Sequence, residues 1–250
     1  MRVLVGIPIS PWTEKARWAL DHHALAYRFE VHFPVVNEVV LRLRRRDLRG
    51  PVTAPMLLAG DCVARDSYAI AQYAERHGRG EPLLTDGAAC EELESVSQAL
   101  CHTGRALLIT RLAVDPDARA AGMPPIIPEG LRGVLDPVAK ATVQLLARKY
   151  RTSEATTFEH ELSLRRMLEG VRARLGGRSY LVGDHFSYGD LAVASAFQLF
   201  APVADAHVPL PAAIRRAVTY PEIARSFADL VEWREALYAR HRGKTAELAA

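Results

Sequence analysis

A short apolar run followed by a serine–proline helix start constrains this chain more than any other segment. The run Val3–Ile7 is almost continuously apolar, which is typical of a strand covered on both faces. Ser10 then suits a helix N-cap, and Pro11 suits the first helical position, where a missing N–H costs nothing. Apolar residues follow on one helical face: Trp12, Ala16, Ala19 and Leu20. Ser10 is therefore either a purely structural cap or a hydroxyl placed where anions, including thiolates, are favoured.

Two further segments suit a site that binds a thiol peptide. Pro55 directly precedes an apolar strand, where a cis Ala54–Pro55 bond would turn the N–H and C=O of Ala54 outward towards an extended peptide. After a second short strand, Cys62–Ala64, the pair Asp66–Ser67 is predicted to begin a helix that ends near Gly78. Serine at that position can hold a carboxylate, and the neighbouring aspartate can hold an ammonium group.

In this order and spacing, residues 1–78 resemble the thioredoxin-like N-terminal domain of cytosolic glutathione S-transferases of the serine/cysteine type. The resemblance implies that Ser10 lies next to the glutathione sulfur and that Ala54, before Pro55, pairs with the cysteinyl backbone. It also implies that Asp66 and Ser67 receive the γ-glutamyl amine and carboxylate. Trp12 joins the same glutathione-binding set. Thr13 stands where a second redox cysteine would be, so disulfide exchange is disfavoured.

The second half supports the same resemblance. In the segment Ser179–Ala194, Ser187 and Asp190 have the spacing of a capping box, with Asp in place of the usual Glu. This segment resembles the start of the buried helix in the family's all-helical domain, where its role is in folding. We therefore predict an α+β thioredoxin-like domain over residues 1–80, a linker over 79–87, and an all-α domain over 88–250. Long helices are expected at 88–114 and 153–175.

The segment between those two helices, residues 115–137, is rich in proline and reads as a long loop. Long loops in compact domains are often binding elements. The segment is therefore predicted either to wall a substrate pocket or to pack on the surface or against a partner subunit.

An arginine cluster lies between the second and third predicted strands: Arg42, Arg44, Arg45, Arg46 and Arg49. The formal net charge is only +3, and residues 34–67 contain no aromatic side chain, so a nucleic-acid surface is disfavoured. The cluster is either a solvated helix or loop, or it supplies an arginine to the glycine carboxylate of glutathione, as the resemblance implies.

Composition excludes several other classes of protein. Three cysteines without a CxxC motif suit a reducing compartment, and the scattered histidines predict no metal site. The start of the chain lacks signal-peptide features, and no segment approaches the ~20 apolar residues of a membrane helix. A cytoplasmic protein that binds neither membrane nor nucleic acid is expected.

The resemblance implies an enzyme that uses glutathione as co-substrate, conjugates or otherwise uses its thiolate on a small apolar electrophile, and assembles as a homodimer. Cys101, His102 and Arg105 lie on the helix that lines the electrophile pocket in resembling proteins; they are either packing and surface residues or substrate contacts. Two alternatives remain open. The fold can serve as a non-catalytic binding module, or the site can act as a glutathione-dependent isomerase or dehalogenase.

Overall fold

A four-stranded mixed sheet forms the core of the N-terminal part in the computed structural model, which describes residues 1–32, 41–43, 53–60 and 62–243. The strands are β1 (Arg2–Gly6), β2 (Arg28–Val31), β3 (Met56–Ala59) and β4 (Cys62–Ala64), in the spatial order β2-β1-β3-β4. β1 pairs with β2 in parallel, whereas the β1–β3 and β3–β4 pairs are antiparallel. The strand predicted near Val3–Ile7 is thus confirmed as a central strand, as its apolar sequence suggested.

Among the described residues, helices α1 (Pro11–His22) and α2 (Ser67–His77) accompany this sheet. α1 is the crossover that joins the parallel strands β1 and β2. Its predicted apolar face is confirmed, since Ala16, Ala19 and Leu20 are fully buried. α2 begins after Asp66 and ends at Gly78, as predicted.

The described chain beyond residue 86 is helical and irregular. It contains α3 (Gly87–Val114), α4 (Pro116–Ala121), α5 (Glu129–Arg132), α6 (Asp136–Tyr150), α7 (Thr157–Leu175), α8 (Tyr188–Ala196), α9 (Ala212–Val218), α10 (Pro221–Ser226) and α11 (Ala228–His241), with short 3₁₀ turns at Glu154–Thr156 and Phe197–Leu199. α3 packs against α6, α7 and α8, and α1 packs against both α2 and α8. The predicted fold class, an α+β N-terminal part followed by an all-α part, is therefore confirmed.

The prediction of a loop over residues 115–137 is wrong, because α4, α5 and the start of α6 lie there. Asp115 caps α4 through the Ala118 N–H at 3.0 Å, and Pro116 takes the first helical position. Arg119 then ties α4 to α6 by two hydrogen bonds to the Asp136 carboxylate, of 2.7 and 2.8 Å. The many prolines of this segment predict a loop, whereas Pro116 and Pro137 lie in the first turns of α4 and α6.

The two halves share one hydrophobic core, in which α1 is central. Trp18 is fully buried, and its Nε1 donates to the His241 carbonyl at 3.1 Å. Next to it, the buried Arg242 donates to Glu14 at 2.7 Å and to Asp21 at 2.8 Å. The end of α11 is thereby attached to the helix that begins at Ser10, so the position of α1 is set from both halves. None of the helices in the described ranges combines the length and the apolar character that a membrane span requires.

Candidate functional site

Strand register brings the predicted site segments to one end of the sheet. Met56 pairs with Val5, so Ala54 and Pro55 lie beside the turn that leaves β1. Leu57 pairs with Ala64, so antiparallel continuation places Asp66 alongside Pro55. Three segments therefore meet at this end of the strands: the β1–α1 turn, the residues before β3 and the start of α2. Ala54–Pro55 lies in the middle, and we call this end of the strands the sheet edge.

Ser10 occupies the N-cap position of α1 with extended backbone angles, but its hydroxyl makes no capping hydrogen bond to that helix. Its N–H donates to the Ile7 carbonyl and its carbonyl accepts from the Glu14 N–H, both at 3.0 Å. The N–H groups of Trp12 and Thr13 in the first turn have no hydrogen-bond partner within the described part of the chain. Ser10, a partly exposed residue, thus lies at the positive end of a helix, beside two N–H groups that have no partner among the described residues.

Thr13 holds this turn in place. Its Oγ1 accepts from the Ile7 N–H at 3.0 Å, and the residue is fully buried. Gly6 permits this contact, because a Cβ at that position would lie 2.5 Å from the Thr13 Cγ2. The Thr13 hydroxyl is therefore a structural group and is not exposed to a ligand.

The Ala54–Pro55 peptide bond is cis, as the sequence suggested. Pro55 is buried and Ala54 is half-buried, directly before β3. The backbone of Ala54 consequently stands at the end of the sheet between the Ser10 turn and α2.

Asp66 and Ser67 differ in their roles at the start of α2. Asp66 is exposed, and its Oδ1 caps the helix by accepting from the Ala69 N–H at 2.7 Å. Ser67 is fully buried, with its Oγ 3.5 Å from Glu94 Oε1. The hydroxyl of Ser67 therefore points into the protein, towards α3.

A buried charged cluster under the sheet edge was not predicted from the sequence. Lys15 of α1 is fully buried, and its Nζ donates to both oxygens of Glu94 at 2.8 Å. Glu94 also accepts from Gln98 at 2.6 Å and from the Tyr188 hydroxyl at 2.9 Å. Burial and the Glu94 carboxylate raise the pKa of Tyr188 well above its usual value, so this hydroxyl stays a donor. The cluster connects α1 to α3 and α8.

Trp12 connects the same edge to α3 through its indole. Its Nε1 donates to Gln98 Oε1 at 2.6 Å, its ring centroid is 5.6 Å from that of His102, and the Arg105 guanidinium lies 5.2 Å from the ring centre. Burial, Arg105 and Lys15 lower the pKa of His102, so its imidazole is neutral at neutral pH. Of the predicted pocket residues, His102 and Arg105 thus lie next to the Trp12 ring.

Cys101 is placed differently from these two neighbours. It is fully buried, and burial raises the pKa of its thiol to about 11. The structure therefore places it among the packing residues, the first of the two interpretations that the sequence allowed.

A periodic signal could have revealed the α3 side of the site. Polar residues recur at positions 94, 98, 102 and 105, which is the spacing of one helical face. Three of these side chains, Gln98, His102 and Arg105, lie next to Trp12 of α1, so the stripe faces another element. No comparable pattern marks Lys15 or Tyr188, because their burial depends on how the two halves pack.

The arginine cluster and the predicted lack of a metal site remain to be compared with the structure. Arg44, Arg45, Arg46 and Arg49 lie outside the described residues, and Arg42 is half-buried. Within residues 1–32, 41–43, 53–60 and 62–243, no group of three or more His, Cys, Asp or Glu side chains could hold a metal ion.

Family comparison agrees with this geometry. Residues 4–82 match the family described as "Glutathione S-transferase, N-terminal domain", and residues 154–237 match "Glutathione S-transferase, C-terminal domain". The chain belongs to the glutathione S-transferase family. The sheet edge, with Ser10, Ala54 and Asp66, lies within the part matched by the N-terminal domain.

Solved glutathione S-transferases share the fold over almost the whole chain. An enzyme from Methylobacterium radiotolerans, in complex with glutathione sulfonate, is 19% identical, with a TM-score of 0.60 and coverage of 96% of this chain and 91% of that one. Glutathione S-transferase I from maize, in complex with an atrazine glutathione conjugate, is 20% identical (TM-score 0.59; 96% and 92%). An enzyme from Phanerochaete chrysosporium is 21% identical (TM-score 0.58; 95% and 94%). No protein of curated function matches the chain.

Proposed function

We propose that this glutathione S-transferase family member binds glutathione at the sheet edge and uses its thiolate to attack a small apolar electrophile. One observation carries the proposal: Ser10 stands at the start of α1 without capping it, and its hydroxyl makes no hydrogen bond to the described residues, so it can donate to a ligand. The complexes of similar folds with glutathione sulfonate and with a glutathione conjugate support glutathione as the ligand.

The tripeptide has matching partners at this edge. The backbone of Ala54, before the cis bond to Pro55, suits an extended peptide, which pairs by main-chain hydrogen bonds. The start of α2 suits the γ-glutamyl end, because first-turn N–H groups favour a carboxylate and the exposed Asp66 carboxylate favours an ammonium group. Since the Ser67 hydroxyl faces Glu94, the Ser67 N–H is the better candidate for the carboxylate contact.

Activation of the thiol follows from the environment of Ser10. A free thiol has a pKa of about 8.5 and is mostly protonated at neutral pH. A hydrogen bond from the Ser10 hydroxyl, the two free N–H groups and the α1 dipole all favour the thiolate over the thiol. A shift of ~2 pKa units corresponds to about 2.7 kcal/mol between the two protonation states.

The reaction needs little else from the protein. The thiol proton leaves to solvent, the thiolate forms a carbon–sulfur bond at the electrophilic carbon, and a leaving group such as chloride departs with its electron pair. Trp12 and the neutral His102 offer apolar and aromatic surface beside the sulfur position. This surface suits an apolar, preferably aromatic electrophile.

The test combines binding with ionisation of the bound thiol. Calorimetry measures glutathione affinity, and thiolate absorbance against pH gives the pKa of bound glutathione, for the unchanged protein and for Ser10→Ala. We expect similar affinity, a higher bound-thiol pKa in the variant, and slower conjugation of chlorodinitrobenzene by about tenfold to a hundredfold. Ser95→Ala is the matched control, because Ser95 lies on an exposed face of α3.

Each alternative function has its own result. Absence of glutathione binding at millimolar concentration would indicate a non-catalytic binding module. Binding with thiol activation but no net consumption of glutathione would indicate an isomerase, or a dehalogenase that regenerates it. An identical bound-thiol pKa in both proteins would remove Ser10 from catalysis and leave the Trp12 and Thr13 N–H groups as the activating donors.

Assembly and location are part of the same proposal. A homodimer in the cytoplasm is what the family resemblance implies. Sedimentation of the purified protein at micromolar concentration tests the assembly, since a single species at 27.6 kDa would contradict a dimer.

A further inference from the structure

Arg105 of α3 has an unusual environment beside the proposed thiol site. Its guanidinium carbon lies 3.8 Å from the centre of the Tyr150 ring and 5.2 Å from that of the Trp12 ring. Its Nε is buried and has no hydrogen-bond partner in the described chain. The side chain thus lies between two aromatic rings, and its N–H groups make no hydrogen bond to the described residues.

Other arginines of the helical half have hydrogen-bond or ion-pair partners for their guanidinium groups. Arg119 forms a two-bond pair with Asp136, and Arg172 is paired with Asp229. Arg111, also on α3, lies 3.6 Å from the Tyr220 ring centre but donates to three carbonyl oxygens. By contrast, no Asp or Glu within the described ranges forms an ion pair with Arg105.

The surroundings of Arg105 add positive charge. The Lys149 Nζ lies 5.3 Å from the centre of the same Tyr150 ring. The Glu94 carboxylate, on the same polar stripe of α3, is already paired with Lys15. Burial lowers the pKa of Arg105, yet a guanidinium remains charged at neutral pH. Arg105 is therefore a cation without a carboxylate partner in the part of the chain that the structure describes.

A planar guanidinium that is already ordered and partly dehydrated is well suited to bind a carboxylate through two parallel N–H···O bonds. Trp12 and Tyr150 provide ring faces next to it, which suit an aromatic or otherwise planar ligand body. We propose that Arg105 binds a carboxylate of the electrophile, so that the preferred substrates are planar or aromatic electrophiles that carry a carboxylate. This inference rests on the proposed function, because Arg105 is related to the proposed thiol site through its contact with Trp12, two residues after Ser10.

The experiment compares two electrophiles that differ only in charge, 4-chloro-3,5-dinitrobenzoate and its methyl ester. In both, the glutathione thiolate forms a bond to the ring carbon that carries chlorine, and chloride leaves with the bonding pair. Each rate is divided by the uncatalysed rate with glutathione, which removes the difference in intrinsic reactivity. We expect Arg105→Gln to lower kcat/KM for the carboxylate about tenfold or more, and to change that for the ester less than about twofold.

Two further variants separate charge recognition from packing. Arg105→Lys keeps the charge without the planar fork and is expected to recover part of the preference for the carboxylate. Arg111→Gln removes another ring-stacked arginine of α3 and is expected to leave the ratio between the two substrates unchanged. Equal losses for acid and ester in Arg105→Gln would overturn the proposal and leave Arg105 as a packing residue.

A binding measurement distinguishes failure of this inference from failure of the proposed function. Calorimetry with unreactive 3,5-dinitrobenzoate, with and without saturating glutathione, reports on Arg105 without turnover. Loss of 3,5-dinitrobenzoate binding in Arg105→Gln with unchanged glutathione affinity supports the inference. Weaker glutathione binding in the same variant would instead assign Arg105 to a carboxylate of glutathione and overturn it. Normal glutathione binding and turnover of the ester, without any preference for the acid, would refute the inference alone.

Discussion

Two helices of this protein, α1 and α8, begin with a serine at the N-cap position, and the two serines are used in opposite ways. Ser187 is fully buried, and its hydroxyl and N–H both bond the Asp190 carboxylate, at 2.7 and 2.9 Å. The second oxygen of that carboxylate accepts from the Leu181 N–H at 2.6 Å. Ser10 is partly exposed, and its hydroxyl makes no cap to α1.

The difference comes from the residue three positions further on. At α8 the third helical residue is Asp190, which closes the capping box. At α1 it is Thr13, whose hydroxyl instead accepts from the Ile7 N–H in the preceding turn. Thr13 therefore holds the turn before α1, and the Ser10 hydroxyl is not needed for that purpose. The comparison separates a helix start that stabilises the fold from one that can serve a ligand.

The largest expected effect is on the closed helix start. Asp190→Ala leaves three buried donors without an acceptor, and we expect a loss of about 3 kcal/mol or more in the free energy of unfolding. Denaturant unfolding measures this loss. Asp184→Ala, in the exposed loop just before the helix, is the control and should change stability by less than about 0.5 kcal/mol. A small loss in Asp190→Ala would mean that the capping box is not what stabilises α8.

Much of this contrast could be predicted from the sequence, because caps and strand patterns are local. The Ser187–Asp190 spacing predicted a capping box, and the apolar run before Ser10 predicted the strand. Residue order alone could not give the direction of the Ser67 hydroxyl or the burial of Lys15, since both depend on the packing of α3 against the sheet domain. The helices within 115–137 were missed because proline was interpreted as a break rather than as a helix start.

The second prediction concerns Ser187, the N-cap residue of α8, and leaves its partner Asp190 unchanged. Ser187→Ala deletes the hydroxyl that accepts from the Asp190 N–H but leaves the bond from the Ser187 N–H to Asp190. We expect a loss of about 1–2 kcal/mol in the free energy of unfolding, with glutathione affinity unchanged. Calorimetric titration beside denaturant unfolding checks both. A change in affinity would show that α8 influences the sheet edge.

The third prediction concerns Ser67, which lies between these two extremes. The sequence suggested a direct contact of its hydroxyl with the glutathione carboxylate, whereas the hydroxyl faces Glu94 in the structure. Since the N–H of Ser67 remains in Ser67→Ala, we expect glutathione affinity to fall by only ~1 kcal/mol, or about fivefold. Calorimetry measures this value. A loss beyond about thirtyfold would mean that the hydroxyl turns towards the ligand on binding.

The smallest expected effect is the most informative one for the comparison. If Ser10 capped α1 as Ser187 caps α8, replacing it by alanine would cost about 1 kcal/mol or more. Because the hydroxyl makes no cap and the turn is held by Thr13, we expect Ser10→Ala to change the free energy of unfolding by less than about 0.5 kcal/mol. Denaturant unfolding of Ser10→Ala beside Ser187→Ala, in the same buffer and without glutathione, makes the comparison direct. Equal losses in the two variants would show that Ser10 is a structural cap, and the argument for a free hydroxyl at the sheet edge would then fail. A near-zero loss of unfolding free energy in Ser10→Ala, together with a raised pKa of the bound thiol, could not come from a structural cap. That result would show that the Ser10 hydroxyl acts on the ligand.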